Sequence, residues 1–180
     1  MSGYLDPLEP FDPRLRRRME ARVRREFELA ESEAALLAAR RRRLADVAWE
    51  AIQSGSRIRI RVGSRELAGT PIYARNDLMT LETGNGQVDV YLPNVDALSV
   101  VPMATLGRSV PKGVETFRAR VSMHQLQRKR MEIVCRGGET RFGGEIEYLA
   151  RDHLSLRTSQ GSVLIALEAV AYLSHHADIR

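Results

Sequence analysis

The chain has 180 residues, 43% hydrophobic and 28% charged, with a net charge of +5 and a pI near 9.9. This is the composition of a soluble globular protein, with no apolar run near the ~20 residues of a membrane span, and its single cysteine excludes an internal disulfide framework and fits a reducing cytoplasm. Residues 106–180 carry 12 basic against 8 acidic side chains, so most of the positive excess lies in the second half, a balance that permits a nucleic-acid partner without demanding one.

Residues 1–12 are acidic and proline-rich, lack the basic start and apolar stretch of a secretory signal, and are expected to be disordered. Residues 13–53 contain no internal glycine or further proline and read as one helical arm. Asp12 supplies the N-cap, Pro13 the first helical position, and Ser54-Gly55 the stop. Its apolar stripe runs through Leu15, Met19, Val23, Phe27, Ala30, Ala34 and Leu37, then Leu44, Ala48 and Ala51. At 1.5 Å per residue such a helix spans about 60 Å, more than one small β-domain covers. Either it breaks and folds back, or Leu15, Met19, Val23, Phe27 and Leu37 meet another chain, and a homodimer is the favoured expectation. Arg40 to Arg43 surround the helix rather than forming one patch, and read as a solvated run paired in part with Glu33 and Asp46.

The segments 56–99 and 131–174 are one unit written twice without a gap, 75 positions apart. Identities fall on turn glycines and alternating apolar positions: Gly63/Gly138, Gly69/Gly144, Asp77/Asp152, Gly86/Gly161 and Leu98/Leu173. In the first copy Ile58, Ile60 and Val62 alternate with arginines in a half-buried strand. Gly63-Ser64 then turns the chain, and a second strand bends at Gly69. Asp77 opens a third strand, Gly84-Asn85-Gly86 makes a hairpin, and two more strands follow to residue 100. Residues 101–115 read as a linker, Thr116–Arg128 holds a short helix, a second five-stranded unit follows to 174, and 175–180 form a tail.

A short helix, five strands with the second bent at glycine, and a closing strand–turn–strand pair resemble the Sm-like (LSm/Hfq-type) small β-barrel. SH3-like and PRC-type barrels share this pattern. The whole layout also resembles an uncharacterised actinobacterial-type family with no activity to carry over. The resemblance implies an α+β protein in which a long N-terminal helix precedes two tandem five-stranded barrels. It also implies assembly through edge strands, with strand four of one barrel pairing to strand five of the other. The family's uridine-reading residues are largely missing. The first motif region reads Asp77-Leu78-Met79-Thr80 and Asp152-His153-Leu154-Ser155, and no Arg-Gly pair stands at Pro93-Asn94 or Glu168-Ala169.

No phosphate-binding glycine loop, catalytic constellation or cofactor motif is present, so neither an enzyme nor a small-molecule substrate is expected. Cys135 aligns with Ile60 and reads as core, Asp77 and Asp152 as caps of their own loops, and Tyr73 and Tyr148 as rim residues. His175-His176-Ala177-Asp178 alone is too little for a metal site. The anion-contact candidates are Arg128, Lys129 and Arg130, helped by Arg118, Arg120 and Arg136. The expected function is non-enzymatic binding and assembly, with a second copy or another protein as partner. The alternative is sequence-independent binding of RNA or single-stranded DNA through the basic second half.

Overall fold

The computed structural model describes residues 13–103 and 113–174, and it divides the chain into two units at Arg42–Arg43. The first unit contains α1 (Pro13–Arg41). Its described side chains are all exposed, including Met19, Val23, Phe27 and Leu37, and the side chain of Leu15 lies outside the described residues. Arg22–Glu26 (3.0 Å) and Arg24–Glu28 (3.5 Å) make one-turn ion pairs along its surface.

The helix expected to continue to Gln53 is interrupted. Arg43 adopts an extended backbone (φ −93°, ψ 161°) and precedes α2 (Leu44–Gln53). Its N–H donates to Asp46 Oδ2 at 2.8 Å, completing a capping box. Asp46, expected as a charge partner for the arginine run, starts a new helix instead.

The second unit is α+β. After α2 come β1 (Arg57–Val62), β2 (Arg65–Arg75), β3 (Leu78–Thr83), β4 (Gly86–Tyr91), a 3₁₀ turn at Leu92–Asn94, and β5 (Ala97–Val101). Then come α3 (Phe117–Leu126), β6 (Arg130–Cys135), β7 (Arg141–Leu149), β8 (His153–Thr158), β9 (Gly161–Ala166), a 3₁₀ turn at Leu167–Ala169, and β10 (Val170–Ser174). The ten strands among the described residues form one open antiparallel sheet in the order β5-β1-β2-β3-β4-β10-β6-β7-β8-β9. Each half thus has its strands in the order five-one-two-three-four, and the halves join where β4 meets β10. That is the strand-four to strand-five pairing the sequence led us to expect.

The two halves share local chemistry. Thr83 Oγ1 donates to Gly86 O and Thr158 Oγ1 to Gly161 O, both at 2.7 Å, closing the equivalent hairpins. Leu92 N–H donates to Asp77 O and Leu167 N–H to Asp152 O, anchoring the equivalent 3₁₀ turns. The repeat is not gapless, however. Ile58 lies opposite Gly69, whereas Met131 lies opposite Gly144, so the first strands are offset by 73 and the later ones by 75. The difference sits in the first hairpin turn, which is two residues longer in the second half. Cys135 is therefore the counterpart of Val62 rather than of Ile60; it is half-buried against the core, which pushes its thiol pKa up. The same 73-residue offset relates Gly55 (φ 67°) and Arg128 (φ 50°), the left-handed residues that follow α2 and α3.

Neither hydrophobic core belongs to one half. The first gathers α2 and β1–β4 residues such as Ala48, Ile52, Ile60 and Val90, and is completed by Val134, Ala171 and Tyr172 of the second half. The second gathers Phe117, Val121, Ile133, Leu154 and Leu173, and is completed by Tyr73 and Leu78 of the first. The turn glycines serve the same join, because a Cβ at Gly63 would fall 1.8 Å from Gly137 O and one at Gly138 would fall 2.6 Å from Val62 O.

The strand crossings set a measurable constraint. A Cβ at Gly144 would lie 2.2 Å from the Arg157 carbonyl oxygen, so Gly144→Ala is expected to lower stability by about 1–3 kcal/mol. At Gly143 an added Cβ meets nothing within 4 Å, and Gly143→Ala is expected to stay within about 0.5 kcal/mol of wild type in urea denaturation.

Candidate functional site

The β4·β10 junction is where polar chemistry is buried. Tyr172, Leu173 and Ser174 lie opposite Val90, Asp89 and Val88. Asp89 is 2% exposed, on a strand whose neighbouring residues Val88 and Val90 are buried and apolar. A carboxylate taken out of water is costly unless it is paired and hydrogen-bonded. Here Thr80 Oγ1 donates to Asp89 Oδ1 at 2.6 Å across the β3·β4 ladder. His124 Nε2 stands 2.7 Å from Oδ2, and Arg120 Nε stands 3.7 Å from Oδ1. His124 is also 2% exposed. Both Arg120 and His124 come from α3, one turn apart, so the helix that introduces the second half locks onto β4 of the first.

The rest of α3 is seated in the same manner. Thr116 Oγ1 accepts from Ala119 N–H as the side-chain N-cap. Asp77, expected to cap its own loop, instead accepts the Phe117 N–H at 2.8 Å, so the first half supplies a second acceptor to the start of α3. Phe117 packs on Tyr91 with ring centroids 4.9 Å apart. Tyr73 donates its hydroxyl proton to Val114 O and lies beneath the Arg120 guanidinium, 5.7 Å from the ring centroid. Asn76 donates to Glu115 O, and Arg75 pairs with Glu115 at 3.0 Å. The end of the expected linker, residues 113–115, is therefore held against the first half. Asn94, 9% exposed, reaches the other way and donates to Glu168 O (2.6 Å) and Val170 O (2.8 Å).

The outer strands of the sheet are unlike the junction strands. On β9 Leu164, the counterpart of Asp89, is 62% exposed, and Tyr148, the counterpart of Tyr73, is 45% exposed against 6%. On β5 the residues matching buried Tyr172 and Leu173 and half-buried Ser174 are Ala97, Leu98 and Ser99, with Val100 and Val101 exposed beyond them. Behind β9, Glu147 accepts from Ser155 Oγ (2.8 Å), Ser162 Oγ (2.8 Å) and Arg157 Nε (2.9 Å). The two hydroxyls, then the guanidinium, hold its carboxyl at a pKa of about 2, below its ordinary 4.5.

The six basic residues singled out in the sequence do not form one surface. Arg118 donates from both terminal nitrogens to Arg151 O and Ala150 O. Arg120 is taken up by Asp89 and Tyr73. Arg128, Lys129 and Arg130 are consecutive and exposed at the α3–β6 turn, and Arg136 is exposed at the next turn. Arg128 lines a groove of about 400 Å³ with Arg157, but Glu145 and Glu147 line it too, so its charges offset one another.

Sequence reasoning missed Asp89, Thr80, His124 and Asn94. A signal for Asp89 was present: a carboxylate between two valines of one strand, matched by leucine in the other copy. Among the described residues no group of three or more His, Cys, Asp or Glu side chains is placed to hold a metal ion, and no helix is long and apolar enough to cross a membrane. His175, His176 and Asp178 lie outside the described residues. No family model matches the chain, and comparison with curated proteins and with solved structures finds no match.

The Asp89 cluster gives a prediction. Asp89→Leu leaves His124 and Arg120 facing an apolar group and is expected to cost about 3–5 kcal/mol in urea unfolding. Replacing all three, as Asp89→Leu with His124→Leu and Arg120→Met, is expected to recover much of that loss, because a buried ion cluster exchanged for packed apolar groups is often close to neutral.

Proposed function

We propose that this chain is a non-enzymatic assembly protein whose two halves are tandem small barrels of the Sm-like kind, and that copies associate through the outer strands β5 and β9. The observation that carries the reading is the β4·β10 junction. It joins strand four of one unit to strand five of the next, and the two strands left at the ends of the sheet are a strand five and a strand four. Unpaired edges invite pairing with another chain. Carried over by the repeat, the internal register places Ala97, Leu98 and Ser99 of one copy opposite Ile165, Leu164 and Val163 of the next. The contact is head-to-tail, so it closes a ring or grows a filament according to its rotation. The α1 arm supplies a second contact, through the exposed Met19, Val23, Phe27 and Leu37.

Light scattering on the full chain tests this. At micromolar concentration the wild type is expected at a multiple of 20.3 kDa. Ala97→Glu, which puts a charge on an exposed edge position, is expected to lower that mass while leaving the circular dichroism unchanged. A wild-type mass of one chain would reject the reading.

A second reading is favoured by the run of exposed cations at Arg128, Lys129 and Arg130: sequence-independent binding of RNA or single-stranded DNA. It calls for micromolar binding to random RNA in fluorescence anisotropy, weakening steeply with salt. Binding would be lost on Arg128→Glu with Arg130→Glu, and unchanged affinity in that variant would reject it.

A further inference from the structure

The first half is covered by α3, while among the described residues nothing covers the counterpart face on the second half. By the 75-residue offset, Tyr73, Asp89 and Asp77 correspond to Tyr148, Leu164 and Asp152. The first three are engaged by α3 or the residues before it. Of the second three, Leu164 is 62% and Tyr148 45% exposed, and the Asp152 side chain is 86% exposed. The helix that stands to α3 as the first half stands to the second is α2, offset by 73 as Gly55 and Arg128 require. Phe117 and Arg120 then correspond to Leu44, 39% exposed, and half-buried Val47.

We infer that α2 of a second copy seats on this face, with Val47 over Leu164 and Tyr148, as Arg120 of α3 meets Asp89 and Tyr73 in the first half. The inference rests on the edge pairing proposed above and names what accompanies it. The chemistry of the two positions changes together between the halves. Inside the chain an acid on the strand meets an arginine and a histidine on the helix, Asp89 with Arg120 and His124. At the outer face a leucine on the strand meets a valine on the helix, and the position of His124 is held by Ala51. Each pairing is self-consistent, and each cross-pairing is costly. Asp89 beneath Val47 would be a buried carboxylate without a cation, and Leu164 beneath Arg120 and His124 would bury a guanidinium and an imidazole without an acid to pair them. Two nearly identical junctions are thereby kept from substituting for one another, so an α3 from one copy is excluded from the outer face of another. Asp152, whose Oδ1 pairs with His153 Nδ1 at 2.7 Å, also matches Asp77, which accepts the first N–H of α3, and its second oxygen is placed to accept the Leu44 N–H at the start of a docked α2.

The experiment compares full-length wild type, Leu164→Asp, Val47→Arg and the double variant by sedimentation velocity over a concentration series, with Ala97→Glu as reference. Leu164 is exposed enough for the fold to accept aspartate, and thermal melts verify this. Each single variant is expected to weaken assembly at least tenfold, and the double variant, which recreates the acid–arginine pair, to regain most of it. If Ala97→Glu disperses the assembly while Leu164→Asp and Val47→Arg assemble like wild type, edge pairing holds and the helix docking is overturned. Single variants that weaken assembly without rescue in the double variant overturn the proposed pairing of Val47 with Leu164. A wild type that stays a single chain overturns both.

Discussion

A buried carboxylate that must not be left alone fixes how the two halves of this molecule meet. Asp89 lies on the one strand of the first half that pairs with the second, and its charge is met by Thr80 beside it and by Arg120 and His124 from α3. Burying such a cluster adds little net stability compared with apolar packing, but leaving it incomplete is expensive. The consequence is geometric. β4 is satisfied only when α3 lies across it, and α3 is satisfied only when Asp77 caps its start and Phe117 reaches Tyr91. The two halves are therefore one folding unit, as their shared cores already require.

That dependence explains how a duplicated unit can serve two purposes. Both copies keep the hairpin threonines, the anchored 3₁₀ turns and the crossing glycines, which build the strands. They differ where a unit meets its neighbour. Asp89 became the counterpart of Leu164, Arg120 of Val47, and Asn94, which bonds across the join, of Ala169. Polar groups close the internal junction and apolar groups remain at the outer edge, the division expected if one junction is permanent and the other forms between chains.

Much of the fold was legible in the chain. The repeat located ten strands, the glycines marked the hairpins and bends, and the spatial order of strands four and five was anticipated at the join. Three features were not legible, each for a physical reason. The break at Arg42–Arg43 carries no glycine or proline; it depends on Asp46 capping a second helix, which competes with simple continuation. The two-residue slip in the first strands was hidden because the second half absorbs it in a longer turn without changing the apolar alternation. The Asp89 site was hidden because its partners lie 31 and 35 residues away, on a helix whose arginines looked like a surface for anions. Arg118 and Arg120 are spent on the protein itself, on carbonyls and on that carboxylate.

The central claim is that the outer strands pair between copies as β4 and β10 pair within one. Hydrogen–deuterium exchange of the full-length protein, followed peptide by peptide from dilute to concentrated solution, tests it most directly. The amides within Ala97–Ser99 and Val163–Ile165 that are not bonded to β1 or β8 are expected to exchange quickly when dilute. On concentration they should slow together toward the protection of Val88–Val90 and Tyr172–Ser174. Outer-strand amides that exchange at one fast rate at every concentration, while the junction amides stay protected, would contradict it.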